Sequence, residues 1–156
     1  MKKKLIIVLA VLSAGLVYLT LADSNPPLPG GLSEVSETEK AEVEKVIKSA
    51  VNIYNKSGKK TMRRLFSASK PIPKSLQKLG MVDTVGKSID TLSYCGKKLE
   101  ITDTKVLRRN TTAKNNRSYI LTATVKPAGK QLDFELIKRK KRYSLTRISN
   151  TVPKNH

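Results

Sequence analysis

Tryptophan is absent from this chain of 156 residues, which carries only two phenylalanines and five tyrosines. So few aromatics leave little for stacking bases, and no recognised nucleic-acid module appears, which disfavours sequence-specific nucleic-acid binding. Cysteine occurs once, at Cys95, so the chain is no disulfide-stapled scaffold. Cys95, between Tyr94 and Gly96, reads as a small buried apolar residue, with pairing between two chains as the other outcome. The single histidine is His156, the last residue, a poor position from which to orient a proton transfer. One Cys and one His make no metal site. Gly-Lys pairs occur at Gly58, Gly86, Gly96 and Gly129, and none has the spacing of a phosphate-binding loop. Asp103 is the best remaining acid for catalysis because it breaks the alternation of its strand, but a bulge or an exposed turn is the stronger explanation of that break. Asp90 and Glu100 have no visible partner that would shift a pKa. The expectation is therefore no enzyme: no catalytic, cofactor or metal residues.

Negative charge is scarce as well. All twelve acids lie beyond Ala22, against 28 of the 31 Lys and Arg. From Lys45 onward only Asp83, Asp90, Glu100, Asp103, Asp133 and Glu135 oppose 27 basic residues. Such a field attracts polyanions, anionic headgroups or an acidic protein, while also serving as plain solubility charge.

What is present begins with an uncharged run of eighteen residues, Leu5–Ala22, directly behind Lys2, Lys3 and Lys4. That layout is an export signal or a membrane anchor. A signal core has roughly 7–15 apolar residues and a spanning helix about 20, so the length fits both. Ala22 is small enough for cleavage, whereas Thr20 is not the preferred alanine. No cysteine follows, which removes a lipoprotein. Lysines on one flank and Asp23, Glu34, Glu37 and Glu39 on the other place the N-terminus in the cytoplasm and the rest outside, in a bacterial periplasm or at the cell surface. The alternative is a secreted or periplasmic soluble protein.

Four segments follow: an anchor or signal over 1–22, a Pro/Gly-rich linker over 23–32, an α+β domain over 33–150 and a frayed tail over 151–156. Ser36, with Glu39 three residues on, forms a capping box that opens a long helix. Val43, Val46, Ile47, Ala50, Val51 and Tyr54 make one apolar stripe at helical period, and Gly58 is a stop. A second helix is expected over Thr61–Ala68, then short helical pieces near Leu76–Leu79 and Thr84–Leu92. From Leu99 the period becomes two: strands over Leu99–Leu107, Tyr119–Val125 and Leu132–Leu136, then a last one from Tyr143 that loses phase at Arg147-Ile148, the sign of a bulge. The predicted fold is α+β: an N-terminal membrane helix, then a long amphipathic helix packed on a curved antiparallel sheet of about four strands.

A long helix followed by Tyr119–Val125, Leu132–Leu136 and Tyr143–Ile148 resembles the cystatin-like or nuclear-transport-factor-like roll, in its small exported or membrane-tethered members. Those members often carry Trp where Tyr143 stands. The superfamily holds enzymes, transport adaptors and tethered subunits of secretion machines, so the resemblance implies a fold and leaves function open.

In an up-and-down meander the first and third turns share one end of the sheet. The first carries Arg108, Arg109, Lys114 and Arg117, and the third Lys138, Arg139, Lys140, Lys141 and Arg142. These nine cations are the candidate site for an anionic partner or surface. The second basic cluster, Lys59, Lys60, Arg63 and Arg64, has no position that sequence can fix. The leading functional expectation is a non-catalytic, membrane-tethered extracytoplasmic interaction domain, a subunit of an envelope-associated assembly. The alternatives are a secreted cationic polyanion binder after signal cleavage and a small-ligand pocket protein of the same fold. No cofactor is implied, and the oligomeric state is open.

Overall fold

The computed structural model describes residues 31–112 and 115–152. The run Leu5–Ala22, linker residues 23–30 and tail residues 153–156 lie outside the described residues. Among those described, no helix is long and apolar enough to cross a membrane.

A three-residue strand, β1 (Leu32–Glu34), leads into α1 (Glu37–Arg63). The Ser36 hydroxyl caps α1 by accepting from the Glu39 N–H at 3.2 Å, and Glu37 and Glu39 occupy its first turn, both favourable to the helix dipole. Val43, Ile47, Ala50 and Val51 are buried, as the stripe predicts, whereas Val46 and Tyr54 are only partly covered.

Gly58 interrupts the helix, as expected of a stop. It adopts φ 75°, ψ −168°, a break that side chains resist, and helical turns resume as far as Arg63. The second helix, expected over Thr61–Ala68, is shorter and continues from the Gly58 break only to Arg63. Its apolar residues serve another need: Phe66 bridges to Leu145. The Ser67 N–H donates to the Leu145 carbonyl at 2.8 Å, and the Leu145 N–H donates to the Leu65 carbonyl at 2.9 Å. An edge strand with unpaired backbone groups takes precedence over one more turn of helix.

Two short helices follow, α2 (Lys74–Lys78) and α3 (Thr84–Ser93). The Asp83 carboxylate caps α3, accepting from the Gly86 N–H at 3.0 Å, and also pairs with Arg63. After α3 the chain turns at Gly96, φ 115°, where a Cβ would stand 2.9 Å from the Pro127 ring.

The remaining strands are β2 (Glu100–Arg109), β3 (Asn116–Lys126), β4 (Lys130–Arg139) and β5 (Arg142–Asn150). The sheet is one antiparallel meander in the order β1-β2-β3-β4-β5. It thus has five strands against the expected four or so, because β1 is too short to display a period of two. Its helix-facing side buries Tyr119, Leu121, Ala123 and Val125 of β3 and Leu132, Phe134 and Leu136 of β4. β2 is bulged between Thr102 and Lys105. β5 is bulged at Thr146, which restores Ile148 to the core side. The far edge of β5 is covered by α3, whose buried Ser88 hydroxyl accepts from the Ile148 N–H at 2.9 Å.

Candidate functional site

The register decides where the cations stand. Arg109 lies opposite Ser118, Arg108 opposite Tyr119, Arg117 opposite Lys138, and Asn116 opposite Arg139. Arg139 in turn faces Arg142 across a two-residue turn, Lys140-Lys141. Eight of the nine expected residues, all except Lys114, therefore share one end of the sheet. Lys114 lies outside the described residues.

Strand alternation sorts them further. Arg108, Arg117 and Lys138 continue the helix-facing rows of Val106, Tyr119 and Leu136. Arg109, Arg139 and Arg142 belong to the opposite face, and Lys140 and Lys141 form the exposed tip.

The first residues of α1 land on this rim. Glu39 pairs with Arg117 at 3.0 Å and accepts from the Tyr119 hydroxyl at 3.0 Å. Glu42 pairs with Lys138 at 2.8 Å and accepts from the Tyr143 hydroxyl at 2.7 Å. The Lys138 ammonium also sits 4.8 Å from the centre of the Tyr143 ring, a cation–π contact. Burial pushes the Glu39 carboxyl up, but the bonds from Tyr119 and the Ser36 backbone, with the fields of Arg108 and Arg117, outweigh it and hold the carboxyl below its ordinary range. Hydrogen bonds from Lys138 and Tyr143 hold Glu42 low, and the bond to Glu42 raises Lys138.

No acid interrupts the two turns, yet α1 brings two acids to them through space. Among the described residues, ion pairs join acids to Arg117 and Lys138 and to none of the other rim cations. The rim therefore has a fixed inner pair and an outer arc of Arg109, Arg139, Lys140, Lys141 and Arg142. A cavity of about 270 Å³ opens between Asn115, Arg117, Lys138 and Lys140, large enough for a tetrahedral anion.

The hairpin tip is built against its own stability. Arg139 and Arg142 are like charges directly opposite, which disfavours pairing. Lys140 takes φ 55°, a conformation that hairpins ordinarily give to Gly or Asn.

The chain also enters the domain at this end. Leu32 pairs with Arg109, and the Asn110 N–H donates to the Gly31 carbonyl at 2.9 Å. This chain matches no family model, no curated protein and no solved structure.

The other candidates fall elsewhere. Asp103 sits in the β2 bulge at φ 51°, exposed, accepting from the Thr102 hydroxyl at 3.1 Å, so it does not point into the core. Asp90 pairs with Lys59 at 2.9 Å. Among the described residues no cluster of His, Cys, Asp or Glu could hold a metal. The second basic cluster begins beyond Asn55, whose amide grips the Leu99 backbone with two 2.8 Å bonds. That contact lies at the end of the sheet opposite the rim, and two of the four cations there, Lys59 and Arg63, are already paired.

Proposed function

We propose that this chain is a non-catalytic, membrane-tethered extracytoplasmic domain, a subunit of an envelope-associated assembly, whose basic rim docks on an anionic surface. The observation that carries the reading is the coincidence of the rim with the point where the chain enters the domain. A linker of eight residues before Gly31, three of them proline, reaches at most about 25 Å in extended polyproline geometry. An anchor at Leu5–Ala22 would thus hold the rim, and not the opposite end, against the bilayer. The unfavourable Arg139–Arg142 hairpin supports the same reading, since such departures from local preference concentrate where function requires them. Each basic residue brought to an anionic surface contributes roughly 1 kcal/mol, so three or four suffice for reversible docking. The cystatin-like or nuclear-transport-factor-like resemblance is one of element order and carries no function.

The test is binding of the full chain's domain to anionic vesicles, read as protection of the rim and its dependence on salt. Changing Arg139, Lys140, Lys141 and Arg142 together to Ser should weaken docking by at least tenfold while the thermal transition persists. Undiminished docking in that variant would overturn the rim as the contact. The mass of the mature N-terminus decides the tether: a chain beginning at Asp23 would replace anchoring with a secreted polyanion binder.

A further inference from the structure

Between α1 and β5 lies an open groove of about 330 Å³, within the range of small-molecule sites. Its walls are Val46, Ala50 and Ile53 of α1, Leu65, and Tyr143 and Leu145 of β5. Lys45 and Ser49 are its polar members. The groove exists because α1 is apolar over a wider arc than the sheet covers. Ile47 and Val51 are sealed, while Val46 and Ile53, one step round the helix, are left partly exposed, as are Leu65 and Tyr143 across the groove. Val46, Ser49, Ala50 and Ile53 are spaced i, i+3, i+4 and i+7, so they form a line along the helix about 10 Å long.

One end of this apolar line is cationic. Tyr143 lies at that end, with Lys138 over its ring, and Lys138 also lines the rim cavity beside Arg117 and Lys140. Lys45 stands on the helix side of the groove. Glu42, the acid nearest this junction, is engaged by Lys138 and Tyr143. A cationic cavity joined to an apolar groove through the Lys138–Tyr143 contact matches, in order, the headgroup and chain of an anionic amphiphile.

We infer that the groove takes one acyl chain of an anionic phospholipid, with the lipid phosphate in the rim cavity between Lys138, Lys140 and Arg117, where Lys140 is the cation not already paired with an acid. The charge complementarity selects the headgroup, and the linear apolar wall selects a chain over a compact ring system. The inference rests on the tethered reading for one point, that the bilayer lies against the rim.

The full chain in liposomes containing phosphatidylglycerol with a diazirine on one acyl chain provides the test. After irradiation, labelled peptides are mapped by mass spectrometry. Label is expected in α1 around Val46–Ile53 and in β5 around Tyr143–Leu145, as well as in the Leu5–Ala22 run. Ser49→Trp, a change at an exposed helix position, should fill the groove and cut its label at least tenfold while the Leu5–Ala22 label and the melting transition stay unchanged. Lys45→Glu should cut the groove label several-fold. Phosphatidylcholine with the same photoreactive chain should label the groove at least tenfold less. Label confined to Leu5–Ala22 overturns the groove assignment alone, and so does groove label that survives Ser49→Trp. Equal groove labelling by phosphatidylcholine, or by a free diazirine fatty acid, overturns the headgroup assignment. Absence of label from the groove and from Leu5–Ala22 together overturns the tethered reading on which the inference rests.

Discussion

Glu39 and Glu42 make the rim buildable. Without them Arg108, Arg117 and Lys138 would repel one another on the helix-facing side of the sheet; with them, α1 is fastened to β3, β4 and β5 at its first turns. The folded pKa of Glu39 is depressed below 4.5. A depressed carboxyl contributes stability that is present above its unfolded value and is lost as the pH falls through the folded one. Asp83, held low first by its bond from Arg63, acts in the same direction below 3.8. The melting temperature should therefore fall on acidification below 4.5, and Glu39→Gln should flatten the upper part of that fall. An identical acid profile in the variant would show that Glu39 does not fasten the helix. Cys95 gives a second residue-scale test. It is 1% exposed, and burial pushes its thiol up, so a thiol reagent should label it slowly in the native protein and fast after denaturation. Rapid native labelling would mean that α3 and the start of β2 open readily. Burial of Cys95 was legible from its neighbours in sequence. The partners of Arg117 and Lys138 were not, because Glu39 and Glu42 lie 78 and 96 residues away.

The elements that declare themselves in sequence are those with enough repeats to show a period. α1 offers six apolar positions on one stripe, and β3 and β4 alternate cleanly, so their existence and inward faces follow from pattern, while both strands extend beyond the expected Tyr119–Val125 and Leu132–Leu136. β1, with three residues, has no period to show, and the Leu65–Ser67 pairing with Leu145 depends on an edge that exists only once the sheet has formed. Asp103 and Thr146 mark the opposite case, where a break in alternation correctly signals a bulge. The β4–β5 hairpin carries the element-scale prediction. Lys140 occupies a left-handed conformation that glycine accepts without a steric penalty. Lys140→Gly should raise stability by up to about 1 kcal/mol and weaken docking on anionic vesicles by roughly fivefold, the equivalent of one lost cation. Denaturant unfolding and the protection of Lys141 from acetylation on anionic liposomes read the two effects separately. A variant that gained stability without losing docking would remove Lys140 from the contact.

At the scale of the molecule, charge and topology act together. An up-and-down meander puts alternate turns at the same end whatever their sequence, so the convergence of the two basic segments was legible as soon as the strands were. The landing of β1 and of the chain's entrance at that end was not, since it depends on a pairing of Leu32 with Arg109 that no local pattern encodes. With an anchor at Leu5–Ala22, as proposed, that placement orients the molecule. Screening at physiological salt acts over about 8 Å, so only cations at the near end can feel an anionic surface. Lys126 and Lys130 flank the turn at the opposite end, and the four residues from Asn116 to Tyr119 that separate the rim from the sheet's middle already span more than that, at about 3.3 Å each. Amine acetylation of the full chain in anionic liposomes, quantified by mass spectrometry, should therefore show Lys140 and Lys141 protected and Lys97, Lys98, Lys126 and Lys130 labelled as in solution. Raising the salt should expose Lys140 and Lys141 again without detaching the chain, because the apolar run, and not the rim, would hold it there. Protection of Lys126 and Lys130 instead would invert the molecule on the surface. Equal labelling at both ends would leave the basic charge as solubility charge and remove the rim from the function.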